Sequence, residues 1–143
     1  MNRDHDAASA IRLIDQVSRL DLRSFSIDLI FGRPDQSPES WEDELTSLFS
    51  LFPFIPHVSL YELTVEKGTA LDKDVRRGKV NMPSEELRAS LYQLTRKVLF
   101  KHGLSRYEIS NFAKSENHRG QHNSRYVPII KWNKSLLNEI SFL

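Results

Sequence analysis

A carboxylate in the middle of an apolar run is the first residue of this chain with chemical potential. Asp28 sits inside Phe25-Ser26-Ile27-Asp28-Leu29-Ile30-Phe31, and an ionised carboxyl taken out of water must be paired or hydrogen-bonded to offset its desolvation. The run stops at Gly32-Arg33-Pro34. In a parallel α/β sheet, ligands bind beyond the carboxyl ends of the strands, and Asp28 leads to such an end. Two readings stand side by side: an ion pair with an arginine such as Arg3, or a group that faces a ligand.

The histidines are the next candidates. His118 and His122 are spaced like half of a metal site, but they fall in a polar stretch without a second pair of ligands. A solvated turn at His122-Asn123-Ser124-Arg125-Tyr126 therefore stands against zinc or haem ligation. His57 and His102 flank predicted elements and read as structural. Gly68 and Gly103 read as turn or cap glycines, since neither G-x-G-x-x-G nor G-K-[ST] occurs. Nucleoside triphosphate chemistry has no support.

The chain has 143 residues and no cysteine, so it contains no disulfide, thiolate zinc site, cysteine nucleophile or cysteine-bound iron–sulfur cluster of its own. Hydrophobic residues make up 39% and charged residues 27%, the balance of an ordinary globular chain. A formal charge of +1 gives no argument for nucleic acid or an anionic membrane as the main partner. No apolar run approaches the ~20 residues of a membrane span. The first residues, Met1 to Asp6, do not read as a secretory signal, and nothing addresses the chain to an organelle.

The elements that must position these residues follow from periodicity. Ala7, Ala10, Ile11, Ile14, Val17 and Leu20 recur every three or four positions and predict an amphipathic helix from Asp6 to Leu20. Phe25 to Phe31 predicts a buried strand with two unlike faces: Phe25, Ile27, Leu29 and Phe31 on one, Ser24, Ser26, Asp28 and Ile30 on the other. Ser37 then caps a helix that begins at Pro38, carries Trp41, Leu45, Leu48 and Phe52 on one stripe, and stops before Pro53 and Pro56. Val58 to Thr64 is a second strand, which completes a strand–helix–strand unit of parallel α/β type. A charged loop to Pro83 leads to a helix from Ser84 to His102, closed by Gly103. Tyr107 to Phe112 predicts a short strand, Ala113 to Arg125 a loop, and the residues from Val127 fit no class.

Four motifs in colinear order carry a resemblance. Ser26-Ile27-Asp28-Leu29-Ile30-Phe31-Gly32-Arg33-Pro34-Asp35-Gln36-Ser37 resembles the DLIYGLPGQT strand and turn of the HemN/HemW branch of radical S-adenosylmethionine (SAM) proteins. Val58 to Thr69 is similar to its SLYQLTIEPGT, Tyr107 to Ala113 to its YEISNFA, and His122 to Tyr126 to its HNxxY. The last two point to the HemW haem-chaperone side more than to the oxygen-independent coproporphyrinogen III oxidases.

The resemblance implies the C-terminal part of a partial (β/α)6 barrel in residues 1–66, an α+β extension in 67–126 with the HNxxY element, and a divergent tail in 127–143. It implies SAM contacts at Arg3, Asp28 and Thr64, and a haem contact at His122. It also implies a [4Fe-4S] cluster on a C-x3-C-x2-C loop, which this chain lacks together with the N-terminal strands. Arg33 stands where the family usually has leucine and Asp35 where it has glycine. The function implied is haem binding and delivery to respiratory enzymes by a truncated chain without its own iron–sulfur cluster; enzyme activity stays open, with catalysis by this chain alone not expected. The alternatives are part of a coproporphyrinogen oxidase-like enzyme and an inactive fragment needing a partner chain. Location would be mitochondrial in a eukaryote and otherwise cytoplasmic. A first strand without its family neighbour would expose backbone groups and favour self-association or a complementary chain.

Overall fold

The computed structural model describes residues 7–20, 24–119 and 129–132, with the backbone alone at 7–10 and 129–132. The first helix, α1 (Ala7–Ser18), buries Ile14 and Val17 as its spacing predicts. The first strand, β1 (Ser26–Phe31), is closed by Gly32, whose φ of 76° takes the backbone out of the extended region. The turn is held by Gln36, whose Oε1 accepts from the backbone N–H of Gly32 at 2.7 Å and of Arg33 at 3.3 Å. Asp35 adopts a left-handed φ of 58°, which accounts for glycine being the residue expected there.

The helix α2 (Pro38–Leu51) starts with a reciprocal cap, Ser37 Oγ accepting from the Ser40 N–H and Ser40 Oγ from the Ser37 N–H. Its stripe buries Trp41, Leu45, Leu48 and Phe49. Glu44 lies on the same stripe, buried and ion-paired with Arg33, whose guanidinium carbon also stands 5.8 Å from the centre of the Trp41 ring. Arg33 in place of leucine thus serves to neutralise a buried carboxylate.

The second strand, β2 (His57–Glu62), runs parallel to β1 in a register from Ile27↔Val58 to Phe31↔Glu62, as the strand–helix–strand reading expects. The predicted charged loop contains a short helix, α3 (Ala70–Arg76), that buries no side chain. It is held by local polar contacts, the Thr69 cap and an Asp72 carboxylate bonded to Gly68 N–H and to Arg76. Apolar periodicity carries no trace of such a helix. The helix α4 (Glu85–Lys101) buries Leu91, Thr95, Val98 and Leu99, and Thr95 accepts from Trp41 Nε1 at 2.7 Å, tying α4 to α2.

The single strand expected over Tyr107–Phe112 is instead two short strands, β3 (Ser105–Arg106) and β4 (Asn111–Ala113), paired antiparallel. β4 lies antiparallel on β2. The unclassified tail supplies β5 (Ile129–Trp132), parallel to β1 on its other side from Ser26↔Ile129 to Leu29↔Trp132. The strand order is β3-β4-β2-β1-β5. The expectation of an unpaired β1 edge is therefore corrected: a β-branched stretch of the tail takes that edge, and exposed β1 backbone is no reason for association. The apolar rows of β1 and β2 join α1, α2 and α4 in one core.

The left-handed residue at position 35 makes a direct test. Asp35→Val should destabilise the chain by ~1–2 kcal/mol, because a β-branched side chain resists that conformation, whereas Asp35→Gly should stay within about 0.5 kcal/mol of the parent. Urea unfolding of the three proteins measures this, and equal midpoints for Val and Gly would contradict it.

Candidate functional site

Paired residues in neighbouring strands project their side chains to the same face. The register thus divides the sheet. Ile27, Leu29, Val58 and Leu60 face the helices, while Ser26 and Asp28 of β1, His57 and Ser59 of β2, and Asn111 of β4 share the opposite face. Asp28, Ser59 and Asn111 form one row across three strands. The strand alternation read from the sequence is what aims Asp28 away from the helix layer.

This polar face is not open to bulk water. Asp28 is 7% exposed, Ser26 2%, Ser59 7% and His57 0%. Asp28 is not left uncompensated in that setting. Beside it runs a connected set of hydrogen bonds: Ser26 Oγ lies 2.8 Å from His57 Nδ1 and 3.3 Å from Ser59 Oγ, and His57 Nε2 lies 2.7 Å from the Tyr107 hydroxyl. The Arg119 guanidinium carbon stands 5.9 Å from the centre of the Tyr107 ring. Both imidazole nitrogens are engaged, so His57 braces the wall that carries Asp28 and is not free to ligate. The sequence reading of His57 as structural agrees with this, but it missed that the residue, with Tyr107, belongs to the wall. The His57-x-Ser59 alternation in β2 was the available signal.

The other candidates separate. Thr64 is exposed, two residues beyond the end of β2. Asp28 is level with Ser59, so Thr64 lies on the order of 15 Å further along the strand direction at ~3.3 Å per residue. A molecule touching both must span that rise. Arg3 and His122 lie outside the described residues. His118 is bonded through Nδ1 to Ser24 Oγ at 3.1 Å. His102 stacks on Phe49 with ring centres 4.8 Å apart, a packing contact.

One feature of the strand end was not legible in the sequence. Gln36 is buried, its oxygen closes the turn after β1, and its Nε2 has no hydrogen-bond partner among the described residues. A buried donor left unmade costs about 1–3 kcal/mol, which suits a contact made by a ligand at the carboxyl end of β1. A cleft of about 400 Å³ opens nearby between α4 and the sheet, lined by Phe31, Leu60, Tyr92 and Ile109 with an Arg88–Glu62 ion pair of 3.1 Å at its mouth. It belongs to the helix side and not to the polar wall.

The residues present fit the implied groups unequally. A [4Fe-4S] cluster finds no thiolate donor in a sequence without cysteine. A cationic, hydroxyl- and amine-bearing ligand finds suitable partners in the Asp28 carboxylate and its hydroxyl-lined surroundings. Among the described residues, no helix is long and apolar enough to cross a membrane.

The wall makes a prediction of its own. His57→Phe should destabilise the chain by about 2 kcal/mol, since it removes the ring nitrogens that bond the Ser26 and Tyr107 hydroxyls, and Tyr107→Phe alone by about 1 kcal/mol. In the double substitution the two costs should fall short of additivity by at least ~0.5 kcal/mol, as expected for partners in one network. Strict additivity in chemical unfolding would show that the two side chains are not coupled.

No protein-family model matches the chain. Relatives and one solved structure are nevertheless clear. The chain is 36% identical over 126 residues to the mitochondrial radical S-adenosyl methionine domain-containing protein 1 of Danio rerio, covering 88% of this chain and 28% of that protein. It is 32% identical over 124 residues to the heme chaperone HemW of Synechocystis, covering 87% and 29%. The fold matches coproporphyrinogen III oxidase (HemN) of Escherichia coli, a radical SAM enzyme, with a TM-score of 0.64 and 21% identity over 92% of this chain and 33% of that one. The chain thus spans about a third or less of the proteins it matches. By sequence, the chain is a relative of the HemW-type radical SAM proteins over part of their length, and its fold is that of the matched part of HemN.

Proposed function

We propose that this chain is part of a haem-handling protein of the HemW type, in which Arg3, Asp28 and Thr64 contact SAM and His122 ligates haem for transfer to a haem-requiring respiratory enzyme. The observation that carries the reading is the placement of Asp28: a nearly fully buried carboxylate on the polar face of the sheet, backed by hydroxyls and turned away from the helix core. Such a group suits the ammonium or ribose hydroxyls of a SAM-like ligand. Gln36, with its unmade donor at the strand end, supports a ligand reaching from Asp28 towards the rim. Binding and transfer are favoured over oxidase chemistry, because radical generation would draw its cluster thiolates from outside these 143 residues. The mitochondrial name of the zebrafish relative supports the same compartment for a eukaryotic source.

Two titrations test the reading on the purified chain. Haem added to the parent should give a ligand-shifted Soret band that is lost with His122→Ala and kept with Asp28→Asn. SAM binding, followed calorimetrically, should weaken about 10- to 100-fold with Asp28→Asn, the loss of a charge-assisted hydrogen bond worth roughly 1.5–3 kcal/mol. An unchanged Soret band with His122→Ala sinks the haem assignment, and equal SAM affinity of parent and Asp28→Asn sinks the other.

A further inference from the structure

A second cleft, of about 290 Å³, lies between α4 and the β3–β4 hairpin and shares no residue with the polar wall. Its floor is apolar, formed by Leu104 and Phe112, each 1% exposed. Its rim is cationic: Arg96 and Lys97 from α4, and Arg106 from β3. Phe100, one helical turn beyond Arg96, stands at the same cleft with 72% of its surface exposed. Arg106 is the register partner of Phe112, so both side chains project to this side of the sheet.

Among the described residues, the cations have no anionic partner of their own. Arg96 donates to Gln93 Oε1 at 3.1 Å and Arg106 to the Tyr92 hydroxyl at 3.3 Å, both neutral acceptors. No carboxylate of the described residues lines the cleft. The excess is local, because the whole chain carries a formal charge of only +1. β3 is also the outermost strand of the sheet, with both residues exposed and no described strand on its free edge. Edge backbone, flanking cations and an exposed aromatic beside an apolar floor therefore meet at one place.

We propose that this cleft docks an acidic peptide segment carrying an aromatic or branched aliphatic anchor. The anchor fills the space over Leu104 and Phe112 beside Phe100, and the flanking carboxylates meet Arg96, Lys97 and Arg106. The free edge of β3 offers backbone groups to an extended chain, a form of recognition open to peptides. A nucleic acid would use the cations and stack on Phe100, but it has no use for a strand edge or a buried apolar floor. The volume accommodates one or two side chains and is small for a drug-sized cofactor.

Fluorescence anisotropy of the 143-residue chain with a fluorescein-labelled peptide Glu-Glu-Phe-Glu-Leu-Glu-Glu tests this. Saturable binding is expected, weakened at least tenfold by Arg96→Glu with Lys97→Glu and several-fold by Phe100→Ser. Phe100 is exposed, so its substitution should leave the thermal midpoint in place. Lys67→Glu, a charge reversal away from the cleft, should leave binding unchanged. Equal affinity for the same peptide with alanine at both anchors would overturn the proposal in favour of charge alone. Tighter binding of labelled oligouridylate, displacing the peptide, would overturn it in favour of nucleic acid, and no anisotropy change at millimolar chain would overturn it outright.

Discussion

The pairing of β1 with β2 in one parallel register is the constraint on which the rest of the structure depends. It sets Ile27 beside Val58 and Leu29 beside Leu60 under the helices, and in the same stroke sets Asp28 beside Ser59 on the other face. A slip of one residue would turn the carboxylate of Asp28 into the core and Ile27 and Leu29 out of it. The desolvation of that charge and the loss of two buried aliphatic side chains both oppose the slip. The apolar row therefore secures the position of the polar one.

The polar face is consequently a prepared surface. His57 uses both ring nitrogens to join the Ser26 and Tyr107 hydroxyls, and Ser26 reaches on to Ser59. Every one of these groups is held by its neighbour, which fixes the wall beside Asp28 at little entropic cost to a ligand that arrives later. The same preorganisation extends to the strand end, where Gln36 spends its oxygen on the turn and keeps its amide hydrogens uncommitted among the described residues. The relationship to HemW-type radical SAM proteins is compatible with the proposal that this polar face receives a ligand.

Departures from the family pattern are absorbed locally. Arg33 neutralises Glu44 inside the α2 stripe and lies against Trp41. Asp35 takes the left-handed conformation itself, which an aspartate tolerates better than a branched residue would. At the sheet edges the solutions differ. β1 is flanked by β5, whereas β3 remains the outermost strand beside a cationic cleft with an aromatic residue on display.

Much of this was determined by residues close together in sequence. The two faces of β1, the capped start of α2 at Ser37-Pro38, the stripe of α4 and the break at Gly32 follow from alternation, helical spacing and turn chemistry, and so does the choice of Asp28 as the residue to watch. The absence of cysteine likewise excluded a thiolate-held cluster on this chain without any fold. Other features were decided by distant partners. The pairing of β5 with β1 joins residues about a hundred positions apart, and the His57–Tyr107 contact joins two segments that each look unremarkable alone. α3 escaped notice because it is held by caps and side-chain pairs without a buried face, and the β3–β4 hairpin because its strands are too short to show a period. Periodicity reports which face of an element is buried; which elements meet, and so which polar groups become neighbours, is settled only when the chain closes on itself.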